Sequence, residues 1–139
     1  MPPDLYVETV GPCADCAVLR VGGEVDLYTV PVLRERLAEL FAAGVTHVVI
    51  DTSAITFLDS SGLGLLVGWQ KRLRARSGSL ALVANQPRIV QLFRLVGLTR
   101  LFPPYATVFE AIGDDPHWRH AIEDASRSVA DWCREHELV

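Results

Sequence analysis

The residues with the clearest chemical potential are Asp59-Ser60-Ser61-Gly62, a carboxylate beside two hydroxyls and a glycine. They follow an apolar run and a short polar stretch, and a long helical pattern begins directly after them. Asp and Ser are favoured at helix starts because their side-chain oxygens accept hydrogen bonds from the free N–H groups of the first turn. The sequence therefore predicts a polar loop at a helix N-terminus, where catalysis, anion binding or modification of a hydroxyl could occur.

The surroundings of Ser60 disfavour a serine hydrolase. A nucleophile elbow has glycine two residues before and after the serine, whereas Ser60 has Gly62 after it but Leu58 before it. An acid directly beside the serine rarely serves in a triad, because the acid must orient a separate histidine. None of the four histidines lies in a recognisable motif. We therefore do not expect an enzyme.

The glycines of the same segment do not match a nucleotide-binding motif. Gly62, Gly64 and Gly68 have GxGxxxG spacing, whereas the dinucleotide fingerprint is GxGxxG, and the chain contains no Walker A sequence. Gly64 and Gly68 lie four residues apart and so share one helix face. We interpret this pair as permitting close packing of the helix against the sheet, and we expect no cofactor.

A third hypothesis is that Ser60 is itself a substrate. Phosphorylation adds about −1.5 to −2 charges and three acceptor oxygens. A helix N-terminus accommodates such an anion through its free N–H groups and its dipole. Beside Asp59 the added charge would repel a partner that had accepted the neutral hydroxyl. The residues alone do not distinguish this switch from an ordinary helix cap.

Composition limits the other functional classes. The chain has 139 residues, of which 50% are hydrophobic, and this fits one domain with a sizeable core. Its formal net charge is −4, without the clustered Lys and Arg that direct nucleic-acid binding requires. No run approaches the roughly 20 apolar residues of a membrane span, and the N-terminus does not resemble a secretory signal. We expect a cytoplasmic protein without membrane contact.

The cysteines offer a second candidate site. Cys13 and Cys16 form the sequence CADC between two strand-like runs, and Cys133 lies near the other end. Zinc would need two further ligands, but no second CxxC is present and the histidines are scattered along the chain. We therefore interpret the pair as turn cysteines in a reducing compartment and expect no metal site.

Apolar periodicity predicts strands that alternate with helices. Short apolar runs bounded by Gly, Pro and Asp predict strands at 5–10, 17–21, 45–50 and 80–84, with a brief edge strand at 98–102. Helical spacing predicts helices that begin near residues 30, 60, 87, 105 and 116. The run 45–50 is apolar throughout, which is typical of a strand buried on both faces. Together these elements indicate an α/β fold, a mixed β-sheet with helices packed against it.

Four segments resemble one known family. GEVD at Gly23–Asp26, VVID at 48–51, FLDSSGLG at Phe57–Gly64 and NQPRIVQLFRLVGL from Asn85 closely resemble the STAS-domain anti-sigma factor antagonists. The likeness extends from about residue 5 to residue 112. It implies a STAS-like fold over residues 1–113, followed by a C-terminal helical extension over 114–139.

The resemblance also implies a function. In such proteins the hydroxyl residue after the aspartate is phosphorylated by an anti-sigma factor that is itself a serine kinase. By that resemblance Ser60 is the acceptor, flanked by Asp26, Asp59, Ser61 and Gly62. The unphosphorylated protein binds the anti-sigma factor and frees the sigma factor. Phosphorylation releases the anti-sigma factor, and a phosphoserine phosphatase resets the protein.

Two further expectations concern surfaces. Leu65 and Arg72 lie on the outer side of the predicted second helix, and we expect them to border the partner surface. Trp118 and Trp132 lie on one stripe of a predicted amphipathic helix at 116–135, which covers either its own domain or a partner.

The alternative function is an architectural STAS subunit of a signalling or lipid-transport complex that binds constitutively.

Overall fold

A five-stranded mixed sheet forms the middle layer of the computed structural model, which describes residues 5–138. The strands are β1 (Leu5–Cys13), β2 (Cys16–Val25), β3 (His47–Leu58), β4 (Ser79–Val83) and β5 (Pro104–Tyr105). The helices are α1 (Val30–Ala42), α2 (Ser60–Arg74), α3 (Pro87–Leu95), α4 (Val108–Gly113), α5 (Pro116–Asp124) and α6 (Val129–Glu135). The strands lie in sequence order; β1 and β2 form an antiparallel hairpin, and the remaining pairs are parallel. The predicted fold class is confirmed.

The two central strands bury side chains on both faces of the sheet. Leu19 and Ile50 point toward α1, α2 and α3, whereas Val18 and Val49 point toward α4, α5 and α6. Because side chains alternate along a strand, one apolar run supplies both hydrophobic cores. This confirms the prediction for the strand that begins near residue 45.

The hydrophobic core between the sheet and helices α4, α5 and α6, the second core, contains the tryptophan stripe. Trp118 and Trp132 are 1% and 4% exposed, and their ring centroids lie 5.7 Å apart. They pack with Val18 and Val49 on the face of the sheet opposite α1. The stripe therefore covers the protein's own sheet.

Four predicted elements differ in the structure. The helix predicted to begin near residue 105 begins at Val108, because Tyr105 pairs with Val83 in β5. The strand predicted to end near residue 50 continues to Leu58, because β2 remains beside it as a pairing partner as far as Val25. The edge strand predicted at 98–102 is wrong, since the Phe102 N–H donates to the Leu98 carbonyl in a turn. The single helix predicted at 116–135 is also wrong. Ser126 adopts a left-handed φ of 63°, and Ser128 caps a separate helix, α6.

Between residues 5 and 138, no helix combines the length and hydrophobicity needed to cross a bilayer.

Candidate phosphorylation site and adjoining groove

The two aspartates of the candidate site follow neighbouring strand ends. Val25, the last residue of β2, pairs with Leu58, the last residue of β3. The backbone N–H of Asp59 donates to the Val25 carbonyl over 3.1 Å, which holds the two chain ends together. Parallel strands end at the same edge of a sheet, so Asp26 and Asp59 begin two adjacent loops there.

Asp59 is the N-cap of α2. Its backbone is extended, and its Oδ1 accepts hydrogen bonds from the backbone N–H groups of Ser61 (2.9 Å) and Gly62 (3.3 Å). A carboxylate in this position satisfies free N–H groups and lies at the positive end of the helix dipole. Asp59 therefore fixes the point at which the helix begins, as the sequence predicted.

Asp26 organises the loop that leads into α1. Its Oδ1 accepts hydrogen bonds from the backbone N–H groups of Tyr28 (2.9 Å) and Thr29 (3.0 Å). Thr29 in turn accepts from the Asp26 N–H and donates to the Glu24 carbonyl over 2.7 Å. The Asp26 carboxylate is thus engaged by its own loop, which gives it a structural role beside the predicted phosphorylation site.

Ser60 is the first residue of α2 and is exposed, whereas Ser61 is partly buried. The neighbouring Asp59 carboxylate lies at the same helix start. A hydroxyl here is open to a partner protein, and a group attached to it would extend away from the hydrophobic core. Of the two adjacent serines, the exposed position is the one that the sequence resemblance indicated.

Gly62 has a packing reason to lack a side chain. A Cβ atom built there would lie 2.7 Å from Val25 Cγ1 and closer still to Leu58 Cδ1. Real Cβ atoms do not approach so closely, so a side chain at this position would require the Leu58 and Val25 side chains to move. Gly62 therefore sets how near Ser60 lies to the edge of the sheet.

Gly64 and Gly68 are exposed, and the prediction that they pack against the sheet is wrong. No atom outside the local backbone lies within 4 Å of a Cβ built at either position. The buried face of α2 is formed instead by larger side chains, Leu66, Trp69 and Leu73. The two glycines leave a depression on the outward side of the helix.

That depression is part of a groove of about 480 Å³ between α1 and α2. The groove brings together Ser60 with Leu65 and Arg72, the two residues predicted to border a partner surface. The full lining is Leu27, Val30, Arg34, Ser60, Ser61, Gly64, Leu65, Gly68, Trp69 and Arg72.

Several groove features were not predicted from the sequence. Leu27 is 65% exposed in the loop before α1, and Tyr28 beside it is 87% exposed. The sequence did contain a signal for this surface, namely two large apolar residues directly after Asp26. Exposed apolar residues in a loop are typical of binding surfaces. Arg34 and Arg72 add positive charge, and the Arg72 Cζ lies 4.8 Å from the centroid of the Trp69 ring.

Comparison with known proteins agrees with this fold. Residues 7–111 match the family model of the STAS domain. The anti-sigma-B factor antagonist of Staphylococcus epidermidis is 37% identical over 98 residues, which cover 70% of this chain and 90% of that protein.

Solved structures give the same result. An anti-sigma factor antagonist from Mycobacterium paratuberculosis superposes with a TM-score of 0.71 at 30% identity, covering 81% of this chain and 95% of that one. The Bacillus cell fate determinant SpoIIAA in its phosphorylated form superposes with a TM-score of 0.63 at 28% identity, covering 78% of this chain and 97% of that one. The chain therefore belongs to the STAS-domain family, and its similar relatives are anti-sigma factor antagonists.

Proposed function

We propose that this protein is a phosphorylation-controlled anti-sigma factor antagonist. In its unphosphorylated form it binds an anti-sigma factor with serine kinase activity, and the sigma factor is released for transcription. Phosphorylation of Ser60 dissociates this complex, and a phosphoserine phosphatase restores the binding form. The protein acts by binding. The kinase partner binds the ATP and catalyses the phosphoryl transfer to Ser60.

The observation that carries the proposal is the exposed Ser60 hydroxyl at the end of a groove suited to a protein partner. Leu27 and Leu65 offer apolar contact area, and Gly64 and Gly68 leave room for a partner side chain to approach the helix. Apolar anchors surrounded by polar groups are typical of the centre of a protein interface.

A phosphate on Ser60 would change this surface without unfolding α2. The helix start provides a positive dipole end, so the anion is tolerated there. The backbone N–H groups of Ser61 and Gly62 already donate to the Asp59 carboxylate, however. That carboxylate would lie beside the phosphate. A partner would then have to desolvate two adjacent anions, and a buried unpaired charge is strongly unfavourable.

The relatives support the same mechanism. SpoIIAA has been solved in both a phosphorylated and an unphosphorylated form. The likeness between this chain and both forms supports a fold that accommodates either state.

The test uses the full chain, its candidate kinase partner and ATP. Mass spectrometry should locate one phosphate on Ser60 in the wild type and in Ser61→Ala, and none in Ser60→Ala. In binding measurements without ATP, Ser60→Ala and Ser61→Ala should bind the kinase about as tightly as wild type, whereas Ser60→Asp should bind at least tenfold more weakly. The Ser61→Ala variant is the matched control, since it removes the adjacent hydroxyl.

A phosphate on another residue, or wild-type affinity of Ser60→Asp, contradicts the switch. Tight binding that is unchanged by Ser60→Asp and by ATP would instead favour the architectural STAS subunit.

A further inference from the structure

A second cluster of reactive side chains lies at the opposite edge of the sheet from Ser60. Asp15 is in the turn between β1 and β2, and Cys16 is the first residue of β2. His47 is the first residue of β3, and His117 lies in the first turn of α5. Parallel strands start at a common edge, which is why residues distant in the sequence meet here.

The four side chains are arranged as a set of ligands. One donor atom from each lies within 4.8 Å of every other donor atom in the set. His117 Nε2 is 2.7 Å from Asp15 Oδ1, and Cys16 Sγ is 3.6 Å from the same oxygen. Donor atoms of a tetrahedral zinc site are separated by about 3.3 to 3.8 Å, given bond lengths of about 2.0 to 2.3 Å. Small side-chain movements would bring the present spacing to that geometry.

Burial allows one ligand to adjust while others stay fixed. Cys16 and His47 are 0% and 6% exposed, so packing holds them in place. His117 is exposed at the surface, and its ring is stacked on the His47 ring with centroids 3.7 Å apart. A turn of the exposed His117 ring would direct its nitrogen at an ion shared with Cys16.

Neighbouring polar groups hold the ligands in the manner of a metal site. The Thr46 hydroxyl donates to Asp15 Oδ2 over 3.4 Å and is hydrogen-bonded to His47 Nδ1 over 2.9 Å. A hydrogen bond at one ring nitrogen orients the ring, as is common for metal-binding histidines. Asp115 accepts from the His117 backbone N–H and from the Ser79 hydroxyl, which fixes the start of α5 over the cluster.

We propose that Asp15, Cys16, His47 and His117 form a Zn²⁺ site. Sulfur, nitrogen and carboxylate oxygen are the donors that zinc takes in proteins, and imidazole with thiolate favours it over Mg²⁺ or Ca²⁺. Binding releases the Cys16 proton to solvent. The resulting thiolate and the Asp15 carboxylate together neutralise the ion.

Such a site differs from the expectation that the chain has no metal site. The histidines are scattered in sequence, but the sheet and α5 gather two of them beside the CADC turn. His117 follows residue 111, where the match to the STAS family model ends. The ion would thus fasten the C-terminal segment of this chain to the hairpin and to β3.

The experiment titrates tag-free full-length protein with Co²⁺ under a phosphine reductant and then displaces it with Zn²⁺. Wild type should bind one Co²⁺, with intense visible bands of tetrahedral cobalt and a near-ultraviolet thiolate-to-cobalt band. Cys16→Ser should lose the thiolate band, and His117→Ala should weaken binding at least tenfold. Cys13→Ser and His120→Ala are matched controls, a neighbouring thiol and an exposed histidine of the same helix, and both should bind as wild type.

Thermal melting gives an independent measurement. Zn²⁺ should raise the melting temperature of wild type and His120→Ala by more than that of His117→Ala at the same Zn²⁺ concentration. His117 is exposed, so its substitution is not expected to prevent folding. Absence of the cobalt bands in wild type, or equal affinity of His117→Ala and His120→Ala, would overturn the proposal.

Discussion

Gly62 shows how one missing side chain affects the geometry of the proposed phosphorylation site. We expect Gly62→Ala to lower the free energy of unfolding by about 1–3 kcal/mol, because the new methyl group overlaps Val25 and Leu58 in a packed region. The overlap outweighs the gain of up to about 1 kcal/mol that alanine usually brings to a helix. Denaturant unfolding followed by far-ultraviolet circular dichroism measures the difference.

Gly64→Ala is the matched control, two residues along the same helix. It has open space around its Cβ, so we expect it to raise the free energy of unfolding by about 0.5–1 kcal/mol. Destabilisation by both substitutions to the same extent would contradict the packing explanation for Gly62.

Cys133 gives a prediction for alkaline pH. Burial raises the pKa of this thiol from an ordinary value of 9.0 to about 11 in the folded protein. The unfolded chain therefore loses this proton first as the pH rises. The contribution of Cys133 to the free energy of unfolding is constant below about pH 9 and falls by about 2 kcal/mol by pH 10.5.

The measurement compares wild type with Cys133→Ala, because other groups also titrate in this range. The free energy of unfolding of wild type should fall more steeply than that of the variant between pH 8.5 and 10.5. Equal slopes would mean that the folded Cys133 thiol ionises as readily as in the unfolded chain.

Among the elements, α2 is tied to the sheet by one buried amide. Gln70 Nε2 donates to the carbonyls of Leu80 (2.7 Å) and Leu101 (3.1 Å), and its Oε1 accepts from the Leu80 N–H (2.8 Å). We expect Gln70→Leu to lower the free energy of unfolding by about 2–4 kcal/mol, because backbone groups of β4 and of the 98–102 turn would be buried without hydrogen-bond partners. Chemical denaturation gives the change in free energy.

The exposed Gln91 of α3 provides the comparison. Gln91→Leu should change the free energy of unfolding by no more than about 0.5 kcal/mol. If the two substitutions had similar effects, the hydrogen bonds of Gln70 would not be what secures α2.

The elements that the sequence predicted well are those whose signal is local. The apolar run before Asp51 and the Asp59 cap depend on neighbouring residues, and the structure has both. The extension of β3 to Leu58 depends on pairing with β2, which no local pattern reveals. The break after α5 depends on a left-handed Ser126, a conformation that sequence would indicate only if glycine stood there.

The candidate sites divide in the same way. Ser60 could be singled out as a candidate because a contiguous motif surrounds it. The groove could not be outlined in full, since Leu27 and Arg34 join it through the packing of α1 beside α2. Asp15 and His117 are more distant still in sequence, and only the packing of α5 beside the β1–β2 turn brings them together.

At the scale of the whole molecule, the C-terminal segment forms part of a third layer. Helices α5 and α6 supply Trp118, Ile122, Trp132 and Cys133 to the second core. We expect a chain truncated after residue 113 to melt at a much lower temperature and to bind a hydrophobic dye such as ANS, because that face of the sheet loses its cover. Circular dichroism and dye fluorescence of the two chains test this.

A truncated chain that melts like the full protein would contradict a structural role for the segment. A milder comparison is Trp118→Ala in the full chain, for which we expect a loss of about 3–5 kcal/mol from a large buried side chain.

The length of β3 has an electrical consequence. Its 12 residues, at about 3.3 Å each, place roughly 40 Å between His47 at its start and the aspartate that follows its end. The Debye length at physiological ionic strength is about 8 Å, so charge added at one end is screened at the other. A phosphate on Ser60 and an ion at Cys16 would thus act independently. The phosphate would change the binding of the partner, and the ion would change the stability of the folded chain.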